Sequence, residues 1–127
     1  MKVFLVEDSP VLCERLVELI EADGKHRVIG QADCYEEAVT GIVAALPDVG
    51  IFDIKLVRGS GIDALAEVKR RIPDLVGIVM SNHATPQHAN ASAEAGAAFF
   101  LDKSTEFEQI TGILASIAAP SHEKDMS

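Results

Sequence analysis

Positive charge is in short supply. Eleven Lys and Arg stand against twenty Asp and Glu, a formal net charge of -9. A nucleic-acid footprint needs clustered cations, and these are scattered among acids, so direct contact with nucleic acid is not expected. Long apolar runs are missing too. None approaches the roughly 18 residues of a membrane span, and the run at 3–6 meets Glu7 too early for a signal-peptide core, so no membrane contact and a cytoplasmic location are expected. Cysteine is limited to Cys13 and Cys34 without CxxC spacing, which points to reduced structural thiols rather than a disulfide or a metal site. His26, His83, His88 and His122 lack zinc-ligand spacing, and no repeat, low-complexity tract or interdomain linker occurs.

What is present is a regular alternation. At 127 residues and 48% apolar composition, the chain suits one globular domain, expected over 1–118 and followed by a flexible tail at 119–127. Apolar runs of strand length lie at 3–6, 28–32, 49–52, 76–80 and 97–101. Most are continuous, as in strands covered on both faces. Between and after them, apolar residues recur with helical spacing: Leu12, Leu16, Leu19 and Ile20, then Ala38, Ile42, Ala45 and Leu46, then Leu65, Val68 and Ile72, and finally Phe107, Ile110, Leu114 and Ile117. Ser9-Pro10 and Thr85-Pro86 read as helix starts, Thr105 with Glu108 as a capping box, and Gly24 and Gly96 as stops. Alternating strands and helices predict a doubly wound α/β fold, a five-stranded parallel sheet with five helices on its two faces. The segment TPQHANASAEAG at 85–96 has alanine as its only apolar residue type. Its grip on the sheet is expected to be shallow, since burying a leucine is worth ~1.5 to 3 kcal/mol and a methyl far less.

In open parallel sheets, ligands bind beyond the carboxyl ends of the strands. Glu7 and Asp8 follow the first run, and Asp53 follows the third. If those strands are neighbours, three carboxylates converge. Two like charges ~4 Å apart repel by roughly 4 kcal/mol at an effective dielectric of about 20, so the cluster asks for a cation. Oxygen ligands of this kind suit magnesium, which commonly joins one or two carboxylates to a phosphate oxygen. Taken singly, Glu7 and Asp8 read better as a solvated pair opening a helix, where negative charge is favourable. The fourth strand ends on Ser81 and the fifth delivers Lys103, a hydroxyl and an ammonium able to bind phosphoryl oxygens. Either alone reads as an ordinary surface group; the combination points to phosphoryl chemistry.

With Glu7, Asp8, Asp53 in DIKLVRGSG, Ser81, Phe100 and Lys103 in this order, the chain closely resembles the receiver domain of bacterial two-component response regulators. The likeness covers 2–118. It implies a flavodoxin-like sheet of strand order 2-1-3-4-5. It also implies that Asp53 is the phosphoacceptor, taking a phosphoryl group from a sensor histidine kinase. Asp8, Asp53 and the backbone carbonyl of Lys55 would hold magnesium, with Glu7 acting through water. Lys103 and Ser81 would bind phosphoryl oxygens, and Phe100 would turn inward behind Ser81, switching a protein-binding surface. Strand alternation alone would instead make one of Phe99 and Phe100 core and the other partly exposed.

The chain departs from the family at three places. Val57 stands where proline is usual, so the loop after Asp53 is expected to be freer. Ser104 replaces a commonly cis proline, which leaves the isomer of the preceding peptide open. Asn82 is larger than the usual very small residue and is expected to slow dephosphorylation. The chain ends soon after Lys103, so a stand-alone regulator, monomeric or dimerising on phosphorylation, is expected. Its partner would be a downstream protein, or a histidine phosphotransfer protein in a phosphorelay; a receiver fragment of a larger regulator is the further alternative. A magnesium-dependent aspartyl phosphohydrolase fits less well, because Lys55 occupies the place of its general acid. A flavin carrier lacks its phosphate cradle at 7–10.

Overall fold

The computed structural model describes residues 1–118; the tail expected at 119–127 lies outside the described residues. The chain runs β1 (Lys2–Val6), α1 (Pro10–Glu21), β2 (Arg27–Ala32), α2 (Tyr35–Ala45), β3 (Val49–Asp53), α3 (Gly61–Arg71), β4 (Val76–Ser81), α4 (Pro86–Ala95), β5 (Ala97–Asp102) and α5 (Gln109–Ala118). The strands form one sheet in the order β2-β1-β3-β4-β5, parallel at every pairing. This is the flavodoxin-like arrangement that the resemblance implies. None of the described helices is long and apolar enough to cross a membrane.

Continuous apolar runs are needed in β1, β3 and β4 because each of these strands faces a core on both sides. Val3 and Leu5 of β1 point with Ile51, Ile78 and Met80 toward Leu16 and Ile20 of α1 and Ile110 and Leu114 of α5. Phe4 and Val6 point with Phe52 and Val79 toward Ala38 and Ile42 of α2 and Leu65 and Val68 of α3. Alternation along the strand thus feeds two cores rather than one core and solvent. The α4 helix is the exception: Ser92 is its only fully buried residue, and the Ser92 hydroxyl has no hydrogen-bond partner.

Helix ends follow the expected signals with two exceptions. Ser9 accepts from the Leu12 amide at 3.3 Å and Thr85 from the His88 amide at 3.1 Å. Gly96 closes α4 at φ 104, a left-handed conformation that glycine adopts without strain. Leu46, expected on the buried stripe of α2, is instead 58% exposed. It sits just before Pro47, where continued α-helix is disfavoured, and caps α2 with φ 50 while its amide donates to the Ile42 carbonyl at 2.9 Å. Thr105 and Glu108 do not form the expected capping box, because α5 starts only at Gln109. A tighter closure forms upstream: the Asp102 amide donates to the Glu106 carboxylate at 2.8 Å, and the Glu106 amide donates to the Asp102 carbonyl at 2.8 Å. Phe107 therefore packs against the α1 and α5 core from a turn, not from the helix.

Two glycines give opposite mutational expectations. A Cβ on Gly61 would lie 1.8 Å from the Asp53 carbonyl oxygen, whereas one on Gly112 would meet nothing within 4 Å. Gly61→Ala is expected to push α3 off the end of β3 and lower stability by more than ~2 kcal/mol, as overpacking does. Gly112→Ala, inside α5, is expected to add about 0.4 to 1 kcal/mol. Urea unfolding of both variants tests the pair.

Candidate functional site

The sheet order makes β1 and β3 neighbours, so the chain past Val6 and the end of β3 meet. The Glu7 amide continues the pairing with β2 by donating to the Ala32 carbonyl at 2.9 Å. Ser9 then turns the chain into α1, its amide donating to Glu7 Oε2 at 3.1 Å. Carboxylate oxygens of Glu7, Asp8 and Asp53 come within 4.8 Å of one another. Glu7 and Asp53 are buried, at 4% and 7% exposure, while Asp8 reaches solvent.

Lys103 arrives from the other side of the sheet. Its amide donates to the Ser81 carbonyl at 2.9 Å, prolonging the pairing of β5 with β4. Its ammonium lies 2.7 Å from Glu7 Oε1 and 3.1 Å from Asp53 Oδ1, with the side chain only 8% exposed. Glu7 Oε1 is buried and accepts no aligned hydrogen bond; what faces it is this ammonium. Burial pushes the Glu7 and Asp53 carboxyls above their ordinary values, against the pull of Lys103; Asp53 adds to the rise at Glu7, and Asp8 adds to it at Asp53. Burial works against the Lys103 ammonium, but its close contact with Glu7 and the charge of Asp53 outweigh that and raise its pKa. At ion-pair distance the three carboxylates have one cation, Lys103; the cavity of about 460 Å³ is also lined by Asn82 and by two further cations, Lys55 and Arg15, that form no ion pair with them among the described residues.

Ser81 is brought to the strand end but its hydroxyl is committed elsewhere. It donates to the His83 carbonyl at 3.1 Å and accepts from the His83 amide at 2.9 Å. Phe99 and Phe100 are both half-buried, Phe99 against the α1 and α5 core and Phe100 against the α2 and α3 core. Neither is simply core or exposed, because β5 is an edge strand whose outer flank carries only the shallow α4.

The loop after Asp53 is pinned rather than free. The Val57 amide donates to the Asp33 carbonyl at 3.1 Å, a bond that proline at this position could not make. The Tyr35 amide donates to the Arg58 carbonyl at 2.9 Å, and Arg58 Nη2 donates to the buried Cys34 sulfur at 3.4 Å. Cys34 also brings a ligand atom within 4.8 Å of Asp33 and Glu37, yet it spends its sulfur on Arg58. All described peptide bonds are trans, so the Lys103-Ser104 bond is trans. Ser104 holds the turn otherwise, its amide and hydroxyl both donating to Asp102 Oδ1, at 2.8 and 2.6 Å. Sequence reasoning missed Arg15 altogether. The signal was slight: Arg15 lies in the second turn of α1, the helix that opens directly after Glu7 and Asp8.

The family model of the response regulator receiver domain matches residues 3–115. The chain belongs to that family. Among curated relatives, this receiver is 30% identical over 119 residues to the DNA-binding transcriptional activator DevR/DosR of Mycobacterium tuberculosis, covering 94% of this chain and 55% of that protein. It is 37% identical over 113 residues to a protein-glutamate methylesterase/protein-glutamine glutaminase of Idiomarina loihiensis, covering 87% of this chain and 28% of that protein. The chain thus spans about half, or less, of the length of these relatives. Among solved structures, the signal receiver domain of the putative response regulator NarL from M. tuberculosis superposes with a TM-score of 0.81 at 28% identity, over 94% of this chain and 97% of that one. The response regulator domain of Thermotoga maritima CheB gives 0.80 at 26% identity, over 92% of each. Fold, two-component family and signal-transduction role are thereby fixed at the level of the receiver domain.

The raised carboxyl values carry a sign for stability. A group that binds its proton more tightly when folded favours the fold below its unfolded pKa and loses that contribution as pH rises through the folded value. Ionised Asp53 therefore opposes folding at neutral pH. Asp53→Asn is expected to raise the urea midpoint at pH 7 without metal, and the gain is expected to shrink as the pH is lowered from the raised folded value of Asp53 toward about 4, the ordinary carboxylate range, below which no further change is expected.

Proposed function

We propose that Asp53 is a phosphoacceptor that takes a phosphoryl group from a phosphohistidine of a sensor histidine kinase. What supports this most is the pairing of buried Asp53 with the Lys103 ammonium at 3.1 Å, beside the clustered carboxylates of Glu7 and Asp8. An Asp53 carboxylate oxygen attacks phosphorus, the P–N bond breaks, and the imidazole keeps the electron pair. The product is an acyl phosphate on Asp53.

The donor set fits a hard divalent cation: three carboxylates within 4.8 Å, with the buried Glu7 Oε1 facing only an ammonium. Asp8, Asp53 and the Lys55 backbone carbonyl would hold magnesium directly, and Glu7 through water. When bound, magnesium offsets the negative charge that gathers around the transferring phosphoryl group. Lys103 neutralises one phosphoryl oxygen from the floor of the cavity, where low solvent exposure strengthens its effect.

The phosphoryl group brings roughly -1.5 to -2 charges at neutral pH. Ser81 then releases His83 and turns its hydroxyl to a phosphoryl oxygen. The space behind it admits the ring of Phe100, which already packs on the α2 and α3 side. Because Ser81 and His83 lead directly into α4, this movement carries α4 and changes the surface offered to a downstream protein partner. Asn82 lines the cavity mouth and hinders water on its way to the acyl phosphate.

Intact mass after incubation with magnesium and acetyl phosphate is expected to show one added phosphoryl group, absent from Asp53→Asn and from a sample with excess chelator. Lys103→Ala is expected to slow the labelling by about 100-fold or more, as loss of a charge-stabilising donor does. An unlabelled wild-type protein overturns the reading. Once labelled, Asn82→Ala is expected to lose its phosphoryl group several times faster than the wild type, measured by the decay of the same mass peak.

A further inference from the structure

Arg15 stands where the acidic cavity opens to solvent. It lines that cavity beside Asp8, Asp53 and Lys103, and it also lines a neighbouring cavity of about 360 Å³ that runs past Ser104 to Phe107. Its guanidinium carbon lies 4.7 Å from the centre of the Phe107 ring. The residue is exposed, and among the described residues it forms no ion pair. With three carboxylates nearby, a mobile cation would be drawn onto them and would fill the place that a metal needs. Stacking on Phe107 keeps the guanidinium at the rim instead, attracted by the ring face and restricted in its rotamers.

A phosphodonor that approaches Asp53 brings negative charge toward Glu7, Asp8 and Asp53. Lys103 cannot meet it at the entrance, because its ammonium is buried between Glu7 and Asp53. Lys55 is exposed at the same cavity, but its ammonium is a point charge on a flexible stem. A guanidinium presents paired donors that match two phosphate oxygens, and Arg15 is the arginine lining this cavity.

We propose that Arg15 is a binding residue for the phosphodonor: it engages the donor's phosphate at the cavity mouth and steers it to Asp53. The proposal rests on Asp53 being the phosphoacceptor. No bond forms at Arg15; the donor's bond to phosphorus still breaks as Asp53 attacks.

The test is the initial rate of phosphorylation in magnesium, followed by intact mass while the concentration of acetyl phosphate is varied. For Arg15→Ala the half-saturating concentration is expected to rise about fivefold, the factor carried by a unit charge facing a unit charge through water. The effect falls on that concentration rather than on the maximal rate. Arg15→Lys is expected to lie between the two, and Phe107→Leu, which frees the guanidinium, to give a smaller rise. Phosphoramidate carries one negative charge fewer than acetyl phosphate, so its factor should be smaller, and added salt should shrink both. An unchanged half-saturating concentration, an equal factor for both donors, or a loss confined to the maximal rate overturns the role of Arg15. Those outcomes leave Asp53 untouched, whereas a wild-type chain that takes no phosphoryl group from either donor overturns the Asp53 reading and this one with it.

Discussion

A single ammonium holds the site in its shape. Lys103 sits between Glu7 and Asp53, and without it two buried carboxylates would face each other with no opposite charge at contact distance. At contact distance the three acids have this one base, and the other cations of the cavity, Lys55 and Arg15, form no ion pair with them among the described residues. Burial raises the stakes, since each uncompensated charge interacts more strongly where water is excluded.

The fold exists to bring those four groups to one edge. Glu7 and Asp8 lie just beyond β1, and Asp53 ends β3, its neighbour in the sheet. Lys103 comes from beyond β5, carried inward by the bond from its amide to the Ser81 carbonyl. Two cores clamp the sheet from opposite faces, so the strand ends are fixed to within the precision of close packing. The loop that follows Asp53 is tied in turn to the start of α2 through Val57, Arg58 and Cys34. Chemistry at the edge is thus supported on a frame that does not itself need to move.

Much of this is legible in the sequence. Uninterrupted runs such as 49–52 are what two-sided burial demands, and the acids that close them could only be strand-end groups. What was hidden depended on context. Leu46 looked like one more stripe residue until Pro47 ended its helix. Thr105 and Glu108 have the right spacing for a capping box, but the bonds between Asp102 and Glu106 close the turn first and delay α5. Val57 was expected to loosen its loop because it is not proline, yet its amide supplies the bond that tightens it. Arg15 escaped notice because an exposed arginine on a helix is common; only its position over Phe107 and beside the acids sets it apart.

The α4 helix holds on by methyl groups and by one enclosed hydroxyl that has found no partner. Such an anchorage makes its resting place a shallow well, so a sideways step gives up little apolar area and can even relieve Ser92 of its isolation. If phosphorylation at the strand edge moves this helix, as proposed, linkage runs both ways: a ligand that prefers one seat of the helix would shift occupancy at the edge by the same factor that the edge shifts its own affinity. In a switch built as proposed, sensitivity would be set less by the chemistry of the acids than by how lightly one neighbouring helix is fastened.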